Sequence, residues 1–289
     1  MDKKIISYYW GGLGNQLFIY FTTKAISIKN NCNITSDITY YRNDIYKRSF
    51  ELNKLGIHLK RCDKIDSFDL PLGVLLRKIS NRLGFHLLRP RLKYFHESNH
   101  SIDLSKSYKN SYLFGYWQDY KIFDKFKKQI INDINFSLVS ENQKIIDYLN
   151  FIKETSEDRR VFLGIRSFQE TKTASSSENI DFYKKAILFF ENKIVTPKFF
   201  VFTNNTESVK ILNELKINYT IVPSFSSTNS TIEHLYLGTF FKNYILTNST
   251  FYWWMNYLSV YEKTSVYAST KWSNKNTINI NWTLHKCSN

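Results

Sequence analysis

An alternation of strand and helix patterns in the second half of the sequence limits the fold most strongly. Short apolar runs predict buried strands at 161–165, 199–203, 219–222 and 244–246. Apolar residues at helical spacing predict intervening helices at 181–192, 207–216 and 232–241. Strands joined by helical crossovers lie parallel in one sheet. The pattern predicts a Rossmann-like α/β domain, whose ligand site is at the carboxyl ends of its strands.

The first half opens with a strand, a glycine turn and a helix. The apolar run 4–10 predicts the strand, and the apolar face of 15–29 predicts the helix. Between them lie Gly11, Gly12 and Gly14, from a chain with only 9 glycines. Such a turn lets a phosphate approach the backbone N–H groups at a helix start. The stretch matches neither G-x-G-x-x-G nor the P-loop motif, so a purely structural tight turn is an open alternative.

Two domains are expected from the length. The 289 residues are about twice the ~100–150 residues of a common domain. Helical patterns at 118–134 and 140–153 precede a polar stretch at 153–160. We place the boundary in that stretch, which gives domains 1–155 and 156–289.

The charge favours an anionic partner. The chain carries 40 Lys and Arg against 25 Asp and Glu, a net charge of +15. Segment 71–94 has six basic residues, no acid and leucines at helical spacing. It predicts either peripheral contact with an anionic membrane through a basic amphipathic helix or an ordinary solvated surface helix. A nucleic-acid binder would also explain the charge, but no motif for nucleic-acid recognition occurs, so none is expected as a partner.

The sequence favours a cytoplasmic protein. No stretch approaches the ~20 apolar residues of a membrane span, and the opening "MDKKIISYYW" is typical of a strand and not of a signal peptide. Three cysteines without metal-type spacing argue against a disulfide framework or a zinc site.

Three further stretches share one resemblance. They are "GGLGNQLFIY" at 11–20, "YLFGYWQDYKIF" at 112–123 and "NSTFYWWMNYL" at 248–258. In order and spacing they resemble the bacterial α-1,2-fucosyltransferases of glycosyltransferase family 11. The second is similar to the family's G-Y-F/W-Q segment and the third to its N-S-S-F-S-W-W signature.

The resemblance implies a fold and a reaction. The implied fold is GT-B-like, with two Rossmann-like domains facing a cleft, the acceptor on the amino-terminal domain and the GDP-sugar on the other. The implied reaction transfers L-fucose from GDP-β-L-fucose to the 2-hydroxyl of a sugar such as galactose, with inversion and with no metal or other cofactor. The acceptor is an oligosaccharide, lipid-linked in some cases, of surface polysaccharide (O-antigen) synthesis. The enzyme would then work in the cytoplasm or at the inner face of the cell membrane.

One motif departs from the family pattern. H-x-R-R-G-D-Y appears here as "GIRSFQE" at 164–170, which keeps Arg166 but has Gly164, Ser167 and Gln169 in place of His, Arg and Asp. The aspartates of the next segment are also replaced, giving "FTNN" at 202–205. A transferase for a related GDP-deoxysugar and a non-catalytic nucleotide- or sugar-binding relative therefore remain as alternatives. We expect an active enzyme because Arg166, the glycine turn and the "NSTFYWW" segment are retained.

The residues also fit the chemistry. Departure of GDP builds negative charge, which a metal or fixed cations must stabilise. The chain has no D-x-D motif, whereas Arg166 offers a phosphate-matched fork and the helix start at Ser249 offers N–H groups. The catalytic residues predicted are Arg166 and, as general base, Glu170, with Asp37 and Asp119 as alternative bases. The predicted donor-binding residues are Gly12, Gly14, Asn15, Gln16, Arg166, Thr203, Asn204, Asn248, Ser249, Thr250 and Phe251. Open alternatives are an ion pair for Arg166, helix capping for Asn15, and core packing for the neighbouring Trp253 and Trp254.

Overall fold

The chain forms two compact units. The structure is a computed structural model that describes residues 3–42, 46–62, 92–167, 178–215 and 217–285. One unit comprises Met1–Asn53 and Ile57–Asp133, and the other comprises Lys54–Gly56 and Ile134–Asn289.

The division between the units precedes the boundary that we placed at 155/156. That position directly follows a helix, α4, which runs from Gln143 to Glu154. The ring of Phe151 in this helix lies 6.3 Å from the ring of Phe200 in the second sheet. The helix therefore belongs to the second unit, and the polar stretch 153–160 lies within that unit, where it comprises the end of this helix, the turn 155–159 and the first residue of the strand Arg160–Ile165.

The first unit contains a five-stranded parallel sheet. Its strands are β1 (Lys4–Tyr8), β2 (Asn33–Asp37), β3 (Lys60–Arg61), β4 (Lys93–His96) and β5 (Ser111–Phe114), in the order β3-β2-β1-β5-β4. Helix α1 (Leu13–Asn30) joins β1 to β2 and ends at Asn31 in the left-handed conformation, a common helix stop. Two 3-10 turns (Tyr120–Ile122 and Asp124–Phe126) and helix α2 (Lys127–Ile131) follow β5.

The second unit contains a six-stranded parallel sheet. Its helices are α3 (Ser137–Ser140), α4, α5 (Ile180–Glu191), α6 (Lys210–Asn213), α7 (Ser230–Gly238) and α8 (Thr250–Tyr257), with 3-10 turns at Thr206–Val209 and Lys275–Thr277. Its strands are β6 (Arg160–Ile165), β7 (Lys198–Thr203), β8 (Tyr219–Ile221), β9 (Asn243–Leu246), β10 (Ser265–Ala268) and β11 (Thr283–Leu284). The order across the sheet is β11-β10-β9-β6-β7-β8.

Strand β6 is buried on both faces, as expected of a central parallel strand. One face packs Leu163 into a cluster with Phe182 and Phe190 of α5. On the other face, the Phe162 ring stacks 4.5 Å from the Phe202 ring. Burial of each such side chain stabilises the fold by about 1.5–3 kcal/mol. With both faces covered, a ligand reaches this sheet at the carboxyl ends of its strands.

The predicted α/β class, with two Rossmann-like units, is confirmed. None of the helices in the described ranges is long and apolar enough to cross a membrane. Of segment 71–94, residues 71–91 lie outside the described residues. The predicted helix is wrong for Lys93 and Tyr94, which form strand β4 because Tyr94 pairs and stacks with Tyr112 of β5.

Candidate functional site

Three neighbouring strands bring most of the predicted donor-binding residues to one sheet edge. Arg166 follows β6, Asn204 follows β7 and Asn248 lies two residues beyond β9. The order β9-β6-β7 makes these strands adjacent. Because Ile165 pairs with Thr203 and Leu163 pairs with Ile245, the three polar residues leave the sheet at a similar level.

The loops after β6 and β7 are tied to each other. The Asn204 side chain accepts from the Ser167 N–H at 3.0 Å and donates to the Ser167 carbonyl at 3.1 Å. The Thr203 hydroxyl donates to the Asn205 carbonyl at 2.9 Å and accepts from its N–H at 3.1 Å. Thr203 and Asn204 therefore fix the loops beside Arg166, and their direct contact with a donor stays a prediction.

The start of helix α8 is polar and lacks a side-chain cap. Ser249 is its N-cap residue but makes no capping hydrogen bond through its side chain. The Thr247 hydroxyl and the side-chain amide oxygen (Oδ1) of Asn248 are buried and have no hydrogen-bond partner among the described residues. Phe251 is half-buried in the first turn. Because helix N-termini carry partial positive charge, Ser249 and Thr250 stand where an anion would be stabilised.

The tryptophan pair of α8 belongs to the core. Trp253 and Trp254 are buried, and the indole N–H of Trp253 donates to the Thr277 carbonyl at 2.8 Å. The Trp253 ring also stacks on the Tyr257 ring at 4.7 Å. These contacts favour the packing interpretation of the pair.

In the glycine turn of the first unit, Gly11 and Gly12 differ in backbone conformation and in the space around them. Gly11 has a φ of 76°, and a Cβ there would lie 2.8 Å from Asn15 Nδ2. Gly12 precedes helix α1 with extended backbone, and a Cβ there would meet nothing within 4 Å. The chain conformation therefore requires Gly11, whereas Gly12 leaves open space beside the turn.

Polar side chains hold this turn in place. The buried Gln16 donates to the carbonyls of Gly11 at 3.1 Å and Ser49 at 2.9 Å, and it accepts from the Glu51 N–H at 2.8 Å. Asn15 accepts from the Gln118 side chain at 3.2 Å. The expectation that Asn15 might cap the helix is wrong, because Gly12 is the N-cap residue.

Two of the three candidate bases serve local structure. Asp37 is buried and accepts from the hydroxyls of Tyr112 and Thr39, both at 2.7 Å. Asp119 accepts from the Lys121 N–H at 3.1 Å and caps a 3-10 turn. Glu170 lies outside the described residues, and its role as base stays a prediction. In the described ranges, no group of three or more His, Cys, Asp or Glu side chains is arranged to hold a metal ion.

One buried carboxylate escaped the sequence analysis. The Glu178 side chain is 2% exposed, accepts from the Ser269 hydroxyl at 2.5 Å and pairs with Lys271 at 3.2 Å. Ser269 follows strand β10, so this pair lies at the same carboxyl edge as Arg166. An isolated Glu in the polar run "SSSEN" has no motif or spacing that would indicate burial.

Two curated relatives from Escherichia coli match most of the chain. The O-antigen biosynthesis glycosyltransferase WbnK is 26% identical over 91% of this chain and 92% of its own length. An alpha-1,2-colitosyltransferase is 24% identical over 93% of this chain and 92% of its own length.

Solved structures support the fold. Fucosyltransferase NodZ from Bradyrhizobium superposes with a TM-score of 0.52 at 12% identity, over 90% of this chain and 94% of that one. NodZ alpha-1,6-fucosyltransferase co-crystallised with GDP gives a TM-score of 0.53 at 13% identity, over 90% and 93%. The predicted GT-B-like class is thereby confirmed at the level of its two Rossmann-like units.

A family model decides the assignment. The model described as Glycosyl transferase family 11 matches residues 74–285, which is well over half of the 289 residues. The retained motifs and the parallel sheets agree with that match. The chain therefore belongs to glycosyl transferase family 11.

Proposed function

We propose that this glycosyltransferase transfers L-fucose from GDP-β-L-fucose to the 2-hydroxyl of an acceptor sugar, without a metal, in O-antigen synthesis. The observation that carries the proposal is the polar carboxyl edge of the second sheet, whose groups are suited to bind an anion. There Arg166 follows strand β6, and the start of helix α8, which lacks a side-chain cap, follows the adjacent strand β9. The name of the relative WbnK supports the O-antigen context, and the NodZ fucosyltransferases support a fucosyl donor.

The leaving group determines what the site must do. The bond between the sugar C1 and the β-phosphate oxygen breaks, and its electron pair stays on GDP. Arg166 can donate two parallel hydrogen bonds to phosphate oxygens. The first N–H groups of α8, with the hydroxyls of Ser249 and Thr250, can bind the remaining oxygens. Because these groups are fixed before the reaction, they stabilise the developing charge as a divalent metal would.

The acceptor hydroxyl attacks C1 from the face opposite the departing GDP. The new bond joins the acceptor 2-oxygen to C1 and converts the β-linked donor into an α-linked product. The hydroxyl proton passes to a general base, for which we propose Glu170. An early, oxocarbenium-like departure of GDP would need only a weak base.

The remaining assignments follow the family resemblance. We assign the acceptor to the first unit and the GDP-sugar to the second, with Gly12, Gly14, Asn15 and Gln16 as additional donor contacts. Peripheral membrane contact through 71–94 also stays a prediction.

A second donor has specific support. The relative named alpha-1,2-colitosyltransferase matches this chain nearly as well as WbnK does. The departures in "GIRSFQE" fall in the phosphate-binding motif itself. A related GDP-deoxysugar is therefore the alternative donor, with the same nucleotide and the same mechanism.

A donor panel tests the proposal. The purified protein is incubated with GDP-L-fucose, GDP-L-colitose, GDP-D-mannose and UDP-galactose, and nucleotide release is followed with and without galactosides. We expect release from GDP-L-fucose, or from GDP-L-colitose under the alternative. Turnover of UDP-galactose alone would overturn the proposal. Tight GDP binding without any turnover would instead indicate a non-catalytic nucleotide-binding relative.

A further inference from the structure

One buried tyrosine joins three parts of the polar carboxyl edge of the second sheet. Tyr252 belongs to the first turn of helix α8, and its hydroxyl lies 3.0 Å from the Ile165 carbonyl and 2.9 Å from the Phe202 carbonyl. Ile165 directly precedes Arg166 at the end of β6, and Phe202 directly precedes Thr203 in β7. Through one side chain, the start of α8 is held against the ends of both strands.

The hydroxyl stays a donor at any physiological pH. Burial raises the pKa of Tyr252, and the nearby positive charge of Arg166 opposes part of that rise. The hydroxyl has one proton, which it can donate either to the Ile165 carbonyl or to the Phe202 carbonyl.

Gly164 provides the space that Tyr252 occupies. A Cβ at Gly164 would lie 2.6 Å from Cδ2 and 2.9 Å from Cε2 of the Tyr252 ring. Those distances are shorter than normal carbon contacts in proteins, and the ring is buried and lies edge-on to the Phe162 ring at 5.5 Å, so a side chain at 164 would force the packing to shift. The tyrosine therefore requires a glycine at this position of β6.

Both positions differ from the motifs quoted for the family. Gly164 stands at the His position of H-x-R-R-G-D-Y, and Tyr252 stands at the third Ser position of N-S-S-F-S-W-W, directly after Phe251. Gly164 is smaller than the histidine of the family motif, and Tyr252 is larger than the serine. Because a Cβ at position 164 would overlap the Tyr252 ring, a glycine at 164 and a tyrosine at 252 fit together, and the absence of the histidine is not by itself a loss of the site.

We propose that Tyr252 is a positioning residue that fixes Arg166 relative to the start of helix α8, and that Gly164 and Tyr252 form one exchanged pair. This inference rests on the proposed function for its effect on donor binding. Its structural part concerns only Tyr252, Gly164 and Arg166.

Substitution of the hydroxyl alone gives the main test. Tyr252→Phe keeps the ring and removes both carbonyl contacts. Tyr244→Phe is a matched control, because the buried Tyr244 hydroxyl also bridges two carbonyls, those of Gly238 at 3.0 Å and Met255 at 3.2 Å. Both variants lose the same chemical group from the same unit, but only Tyr252 contacts the ends of β6 and β7.

The readouts separate positioning from stability. We expect Tyr252→Phe to lower kcat and to weaken GDP binding, each on the order of tenfold, with KM for the acceptor unchanged. Tyr244→Phe should leave kcat, GDP affinity and KM for the acceptor within about twofold of wild type, when both variants are compared at the same fraction of folded protein. The Nε–H signal of Arg166 in NMR spectra, identified by its absence from Arg166→Lys, should shift or broaden only in Tyr252→Phe.

The outcomes distinguish the two proposals. If wild type neither binds GDP nor releases it from GDP-sugars, the proposed function fails, and the NMR signal alone decides the positioning role. If wild type is active but the two tyrosine variants match in kcat, GDP affinity and the Arg166 signal, the positioning role is overturned.

The exchange itself is tested by reconstruction. Gly164→His should abolish GDP binding or folding because of the clash, and Tyr252→Ser should weaken GDP binding. The double variant Gly164→His with Tyr252→Ser should fold and bind GDP at least about tenfold more tightly than Gly164→His alone. Equal or weaker binding by the double variant would contradict the compensation.

Discussion

At the scale of single residues, Gly11 and Gly12 are neighbours in sequence but answer different needs. Gly11 has left-handed backbone and sits against Asn15 and the Tyr116 hydroxyl. Gly12 has extended backbone and open space in the direction of a missing Cβ. The sequence shows the two glycines as one cluster, and only the backbone conformation separates them.

Alanine should therefore affect stability at Gly11 and activity at Gly12. Gly11→Ala should lower the free energy of unfolding by about 1–3 kcal/mol, because alanine is strained at positive φ and meets Asn15. Gly12→Ala should change it by only about 0.5 kcal/mol, yet lower activity if a substrate approaches this backbone. Urea denaturation and turnover of the same two variants check both statements. Equal stability losses would contradict the structural distinction.

Arg166 is the residue that we propose as the fixed cation for the departing diphosphate. Arg166→Ala should lower kcat by on the order of 10²-fold or more, because the departing diphosphate loses its fixed cation. Arg166→Lys should recover little of that loss, since the two-pronged guanidinium is gone. The control is Arg159→Ala, an exposed arginine before the opposite end of β6. Near-wild-type turnover in Arg166→Ala would remove this residue from the catalytic assignment.

At the scale of elements, apolar patterns predicted the central strands well. Strands β6, β7, β8 and β9 and helices α5 and α7 lie within a few residues of their predicted ranges. Strands β6, β7 and β9 lie inside the parallel sheet, where most positions are buried and apolar and the pattern is strongest, whereas β8 is an edge strand. Residue Arg166 was found for the same reason, because it directly follows such a strand.

Polar and irregular elements did not follow from the sequence. Strand β2 reads "NITSD", and its buried Ser36 and Asp37 are tolerated because the Ser36 hydroxyl donates to the Lys60 backbone carbonyl and Asp37 accepts from the Tyr112 hydroxyl. The single helix predicted at 118–134 is instead two 3-10 turns and the short α2. Asp119 starts the first turn through its side chain, a local contact that helical periodicity does not reveal. Tertiary partners, which a sequence pattern lacks, decide both cases.

Helix α7 carries a histidine that makes stability depend on pH. His234 donates from Nε2 to the Pro223 carbonyl at 3.0 Å, and the Phe202 ring lies 5.7 Å away. Burial lowers the pKa of His234 below its ordinary value of 6.5, although the Pro223 carbonyl and Glu233 oppose this shift. The unfolded chain therefore binds the proton more readily than the folded one.

The expected consequence is a loss of stability in acid. The contribution of His234 is fully present above pH 6.5, the ordinary value, and declines as the pH falls through the lowered pKa. His234→Gln retains a hydrogen-bond donor without a titrating group. Urea midpoints of the two proteins, compared at neutral pH and at pH values below 6.5, should diverge in acid, with wild type declining more. Parallel pH curves would show that His234 does not contribute.

At the scale of the whole molecule, the family and the fold agree while the reaction rests on a few groups. The family match covers residues 74–285, and both sheets are parallel, an arrangement whose carboxyl edge is the usual place for a ligand site. The +15 charge is consistent with an anionic nucleotide donor. The sequence located Arg166 and the start of α8, but Tyr252 and Glu178 required the packed structure, because both act through contacts distant in sequence.

The most direct measurement is NMR analysis of the product formed from GDP-L-fucose and a galactoside in excess EDTA. We expect sustained turnover and an α-linked fucose on the acceptor 2-hydroxyl, since the proposed mechanism uses fixed groups of the protein to stabilise the departing GDP. An EDTA-treated sample given back Mg²⁺ or Mn²⁺ is the control and should gain no activity. Strict dependence on either metal, or a product that retains the β configuration, would contradict the mechanism.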